Sequence, residues 1–328
     1  MTPTIILKPF SQRDTLLTVG PAPHWRSGRT LRQFMFCHIL ALLPAIVMAA
    51  YYFGLPALRV VATCGLSAVL TQWGCCRLMH REPDVDNYGA LYIGLLLSFL
   101  LPATAPWWLA LLGPAIAVSL GMAVFGGLGQ SPINPVVLAW AVLTVSWPGV
   151  MDIDLSLAAS SLNYPLAQLK FYGVHTLSQF SYLDFLAGNQ LGGIGASQAG
   201  ALILGGIFLM VRGMLRPFIP LAFLVGVLAM AGLFHVIYPQ TTADPLFHVL
   251  TGSTLLGALF LAPDSGSSPC GRLPMLLYGF IGGCLVVMIR TWGVYPDATP
   301  FAVMLANLLA PLLDRIRPVP FTREVYHA

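Results

Sequence analysis

Apolar residues in this chain fall into runs long enough to be helices in hydrocarbon, separated by short polar breaks. Ten runs stand out: Phe34–Phe53, Ala57–Leu78, Tyr88–Leu101, Trp107–Phe125, Pro135–Trp147, Ser197–Val211, Pro217–Tyr238, Leu246–Ala262, Leu273–Ile289 and Pro300–Leu313. Crossing a bilayer core takes about 20 apolar residues per helix, and fewer where a helix is broken or sheltered by its neighbours. The pattern predicts an all-α polytopic membrane protein of about ten transmembrane helices.

The long polar interval Val150–Gly195 divides the runs into two sets of five. Five is odd, so the second set must run inverted relative to the first. The expected organisation is an N-terminal segment 1–33, a first repeat 34–149, an interval 150–196, a second repeat 197–314 and a tail 315–328. Matching positions look alike. The third run ends Leu100-Leu101-Pro102 and the eighth Leu261-Ala262-Pro263; the fifth begins Asn134-Pro135 and the tenth Thr299-Pro300. All four are short. Half-helices meeting inside the membrane, their N-terminal dipoles aimed at something anionic or electron-rich, would account for this. Kinks at Pro and Gly in otherwise continuous helices are the alternative.

Composition agrees with a bilayer as the main solvent. Charged residues make up 9% of the chain, against about 25% in a soluble domain, and 57% are hydrophobic. With the N-terminus inside, one face receives Lys8, Arg13, Arg26, Arg29, Arg32, Arg77, Arg81, Arg212, Arg216, Arg272, Arg315, Arg317 and Arg323. The other receives Arg59, Lys170 and Arg290. Basic residues collect on the cytoplasmic side of bacterial inner-membrane proteins, which places both termini in the cytoplasm and the interval outside. The net charge of +4 then reflects topology, and no nucleic-acid partner is expected. The opening MTPTIILKPFSQRD is too short and polar for a cleavable leader.

No metal site is expected: the six cysteines form no CxxC or zinc spacing, and the seven histidines are scattered. Adjacent Cys75 and Cys76 could share a cluster with another subunit, although small apolar residues at helix contacts explain them better. Nor is a catalytic triad or phosphate loop present.

Four stretches carry polar chemistry at membrane depth. GGLGQSPINP supplies backbone amides with Gln130, Ser131 and Asn134, and APDSGSSPCGR supplies Asp264. PHWRSGRT precedes the first run, and ANLLAPLLD ends the last at Asp314. Carboxylates so near hydrocarbon are costly and usually serve an ion or cofactor path, the expectation for Asp264 and Asp314. The competing roles are a helix cap for Asp264, and for Asp314 a surface partner of Arg315 or Arg317.

In order and spacing these stretches, with ALYIGLLLSFLLP, GGIGASQAGALILGG and RTWGVYPDATPFAVMLANLLAPLLD, resemble the NqrB/RnfD family of membrane subunits. The resemblance implies a subunit of an Rnf-type complex that couples ferredoxin/NAD redox chemistry to Na+ or H+ movement, working with RnfA, RnfB, RnfC, RnfE and RnfG. It also implies flavin: a non-covalent riboflavin or FMN near Gln130, Ser131 and Asn134, and an FMN esterified to the threonine of an outer S/T-G-A-T-P-L motif. The matching stretch is SLNYPLAQLK, Ser161–Lys170, where Tyr164 takes the threonine position. The family's G-S-I-G-E-T-S reads Gly192–Gln198 here, with Ala196 in place of the acid. Both departures argue against covalent FMN. Other functions compatible with the pattern are a stand-alone ammonium- or urea-type channel, and a scaffold subunit that has lost its flavin. For Asn134 the competing role is an N-cap for the helix that begins at Pro135.

Overall fold

The computed structural model describes residues 30–80, 86–153 and 164–316, with the side chains of 178 and 179 left out. PHWRSGRT up to Arg29, Arg81, Ser161 and the basic residues Lys8, Arg13, Arg317 and Arg323 lie outside the described residues. Every regular element among the described residues is helical.

Helix α1 (Leu31–Phe53) and helix α2 (Leu55–Leu78) are full-length spans. They are joined at Gly54, whose φ of 67° suits a residue without a Cβ. Helix α3 (Gly89–Leu100) has only 12 residues and stops before Pro102. Helix α4 (Trp107–Val118) continues as a π turn, Ser119–Ala123, into the glycine-rich loop. Helix α5 (Pro135–Ser146) then starts with Pro at its first turn, where the missing N–H costs nothing.

The described residues of the polar interval form regular elements. It holds α6 (Pro148–Met151), α7 (Pro165–Tyr172), a 3-10 turn at Val174–Gln179 and α8 (Tyr182–Ala187). The second half follows with α9 (Ala199–Val211) and α10 (Phe218–Ile237). The eighth apolar run is not one helix. It is α11 (Pro245–Leu250), a break at residues 251–253, and α12 (Thr254–Leu256) extended by the π turn Gly257–Leu261. Helix α13 (Arg272–Trp292) and helix α14 (Thr299–Leu313) complete the chain.

Packing repeats between the halves. α2 lies against α3 and α4, and α10 lies against α11 and α13; α5 packs on α4, and α14 on α13. The halves join through α1 on α9 and α5 on α14. Apolar side chains gain little by meeting each other rather than lipid, so such helices associate by close backbone approach. At Gly283 of α13 a Cβ would collide with the carbonyl oxygen of Phe223 on α10. At Gly94 of α3 it would lie 2.6 Å from the carbonyl oxygen of Cys64 on α2. These glycines set the spacing of the α10–α13 and α2–α3 pairs.

Helix α13 is 21 residues long, about 31 Å, and separates two polar faces. One carries Asp264 and Arg272; the other carries Lys170 and the loop 293–298.

Candidate functional sites on the two faces

On the Asp264 face the loops 126–131 and 263–268 meet, and a Cβ on Gly266 would sit 3.3 Å from the backbone of Gly129. Gly126 and Gly127 have φ of 114° and 122°, values that residues with a Cβ rarely adopt, so this loop geometry needs its glycines. Ser131, Asn134 and Asp264 line one cavity of about 30 Å³ together with Tyr92 and Met35. Gln130 does not join them; it is exposed on the rim.

Asn134 is engaged at both ends of its amide. Its Oδ1 accepts from the backbone N–H of Val136 at 2.9 Å and of Val137 at 3.4 Å, which caps α5. Its Nδ2 donates to the carbonyl of Leu261 at 2.9 Å, the end of the broken eighth span. One side chain thus ties the start of α5 to the broken eighth span of the other half. The cavity beside it has room for a water or two and does not admit an isoalloxazine ring as it stands.

Asp264 accepts from the Ser267 hydroxyl at 3.1 Å. Burial pushes its carboxyl above the usual carboxylate range, while Ser267 and the backbone amides of residues 265–267 pull the other way. It lies within electrostatic reach of the Tyr92 and Tyr278 phenols, and the Tyr278 hydroxyl donates to Asn307 at 2.5 Å. Asp264 lines a second small cavity with His38, whose ring meets Tyr92 edge-on at 5.3 Å. Asp314 stands apart. Its Oδ1 accepts from the Cys270 backbone N–H at 3.0 Å and pins the end of α14 to the loop before α13.

The Lys170 face is organised around the break in the eighth span. A helix interrupted at depth exposes carbonyls at one end and amides at the other, and each set needs partners. Arg290, buried at 6% exposure in the last turn of α13, donates to the carbonyls of His248 at 2.8 Å and Thr251 at 3.0 Å, and to the Thr254 hydroxyl at 2.7 Å. Asp297 accepts from the Ser253 N–H at 2.9 Å, on the amide side of the break. The two charges meet at 3.5 Å. Cation at a helix C-terminus and anion at an N-terminus is the arrangement that helix dipoles favour. Gly252, with φ of 64°, sits so close that a Cβ would lie 2.5 Å from Leu166 and 2.9 Å from Arg290. Lys170 caps the end of α13, donating to the carbonyls of Gly293 and Tyr295, and its partial burial holds its ammonium below the usual lysine range. Charge counting marks Arg290 as a loop cation; the structure makes it the clamp of a broken helix.

Tyr164 is buried at the N-terminus of α7 and lines a cavity of about 320 Å³. Ala196 lines the same cavity, so the two positions that depart from the family motifs converge on one site. Trp140 and Tyr295 give it aromatic walls, and Asp152 and Asp297 give it carboxylates. Its size falls within the range of small-molecule and cofactor pockets. The glycine motif 192–198 has a further task there. The amides of Ile194, Gly195 and Ala196 donate to the carbonyls of Leu101 and Phe99, capping the truncated end of α3. Gly195 lies flat on Phe99, where a Cβ would run into the ring. That capping role was not legible in the motif.

Comparison with known proteins agrees with this architecture. Residues 18–322 match the model of the NQR2, RnfD, RnfE family. The chain is 36% identical to the D-type subunit of the Na(+)-translocating ferredoxin:NAD(+) oxidoreductase complex of Acetobacterium woodii, over 94% of each chain. It is 32% identical to the D-type subunit of the ion-translocating oxidoreductase complex of Vibrio cholerae, over 90% of this chain and 96% of the relative. The corresponding subunit of Yersinia enterocolitica is also 32% identical, over 91% of this chain and 96% of its own length. A family match across most of the sequence, carried by relatives of nearly equal length, has one meaning: the chain belongs to the NQR2, RnfD, RnfE family.

Proposed function

We propose that this chain is the D-type membrane subunit of an Rnf-type ion-translocating oxidoreductase, and that it holds a flavin non-covalently in the 320 Å³ cavity beside Tyr164. The observation that carries the flavin reading is that cavity. It stands where the family resemblance puts the outer cofactor, and it has flat aromatic walls at Trp140 and Tyr295. Tyr164 replaces the hydroxyl that would form the phosphoester with a phenol of different reach and acidity. Family membership, with relatives named as complex subunits, favours this role over a stand-alone channel.

A bound flavin supplies one- and two-electron redox chemistry. This chain's contribution is placement and exclusion of water. Trp140 and Tyr295 offer faces for a planar ring, Gly193 leaves room for close backbone approach, and Asp152 and Asp297 offer acceptors for a ring N–H. The small Asp264 cavity fits a flavin poorly. A second flavin served by Gln130, Ser131 and Asn134 would have to lie on the exposed rim at Gln130, closed over by a partner subunit. Asp264 itself suits an ion path, as a buried carboxyl that lines a small cavity within electrostatic reach of two phenols. The basic-residue bias puts the Asp264 face in the cytoplasm and the Tyr164 cavity outside, in a bacterial inner membrane. RnfA, RnfB, RnfC, RnfE and RnfG are the expected partners.

The test is the visible spectrum of the purified subunit and complex, before and after acid precipitation. Flavin absorbance that moves wholly into the acid supernatant supports non-covalent binding. A colourless subunit in an assembled complex would mean that it only holds the other subunits together.

A further inference from the structure

On the far side of α7 from Tyr164 lies a separate cavity of about 140 Å³ that none of the preceding roles uses. Its polar lining is Lys170, His248, Arg290, Thr241, Thr242 and Thr291. Two of these residues carry a buried nitrogen with no protein partner among the described residues: His248 Nδ1 and Arg290 Nε. His248 is 5% exposed and Arg290 6%. An unpaired buried polar group costs about 1–3 kcal/mol, more for a charged one, so two such nitrogens on residues that line one cavity call for a ligand. Asp297 offsets the charge of Arg290, and Lys170 adds a further cation, so the surroundings carry net positive charge.

We propose that this pocket binds a phosphate-class oxyanion. A tetrahedral oxyanion fits the volume, which a single water would leave mostly empty. Its oxygens can take a charge-assisted hydrogen bond from the unpartnered Arg290 Nε. The Lys170 ammonium and the hydroxyls of Thr241, Thr242 and Thr291 already donate to backbone carbonyls, so Lys170 contributes its charge and the threonines polar surface. Neutral His248 can present an N–H to it when the proton resides on Nδ1. A cation finds only repulsion from Arg290 and Lys170. The phosphate can be free, or it can belong to a lipid headgroup or a flavin nucleotide. The site does not depend on flavin being present in the Tyr164 cavity.

The experiment is equilibrium binding of radiolabelled inorganic phosphate to the full-length chain in detergent, alongside K170Q and R290K. Saturable binding of one phosphate per chain is expected, weakened about tenfold by K170Q through loss of the positive charge beside the anion. Displacement by FMN but not by riboflavin assigns the site to a nucleotide phosphate. Displacement by short-chain phosphatidate assigns it to a lipid, and displacement by neither to the free ion. If R290K does not elute as a monodisperse peak, the half-buried Lys170 carries the test. No saturable binding to the wild type, or an unchanged affinity in a well-folded K170Q, overturns the proposal. A colourless protein that still binds phosphate would refute the flavin reading and leave this one standing.

Discussion

Arg290 and Asp297 face each other at 3.5 Å across the gap between two half-helices, one satisfying the carbonyl end and the other the amide end. Neither is a surface charge. Removing one partner of a buried pair strands the other, at a cost of about 3–5 kcal/mol. Both variants are expected to lower thermal stability in detergent, R290A more than D297N, because R290A also removes the donors to His248, Thr251 and Thr254 while D297N keeps an acceptor for Ser253. Size-exclusion profiles after graded heating measure this. Equal losses in both variants would mean that the clamp is not what holds the break together.

Asn134 links the halves as well as capping α5. N134A should destabilise the protein by about 2 kcal/mol, from the lost cap and the orphaned Leu261 carbonyl. Released flavin per complex should stay at the wild-type amount, because the roomy cavity lies on the opposite face. A well-assembled N134A complex depleted of flavin would reverse that assignment and make Asn134 a ligand.

Covalent flavin should be absent. Under ultraviolet light a denaturing gel is expected to show no fluorescent band for this subunit, since Tyr164 replaces the esterified threonine. A band that disappears in Y164F would place the phosphoester on the tyrosine instead.

Topology is open to a direct check. Reporter fusions after Lys170 should behave as periplasmic, and those after Arg216 as cytoplasmic. The opposite behaviour at either site contradicts the charge-based orientation, and with it the outward placement of the large cavity.

Hydropathy alone determined the spans: nine of the ten runs coincide with a helix to within a few residues, and the shortness of α3, α5 and α14 was visible in where Pro fell. That follows because hydrocarbon penalises every polar side chain and unpaired amide, so span boundaries are written locally. The eighth run was the exception. Thr251-Gly252-Ser253 is weakly polar and reads as continuous, and the break there stands only because Arg290 and Asp297, about forty residues on, supply its missing hydrogen bonds. The same division holds at the sites. Motif order marked Asn134, Tyr164, Ala196 and Asp264 as positions of interest. Tertiary packing decided that Tyr164 and Ala196 share a roomy cavity, that Asn134 is spent on backbone, and that Lys170, His248 and Arg290 converge. Hydrogen-bond partners and empty volume depend on residues distant in sequence, and no local pattern encodes them.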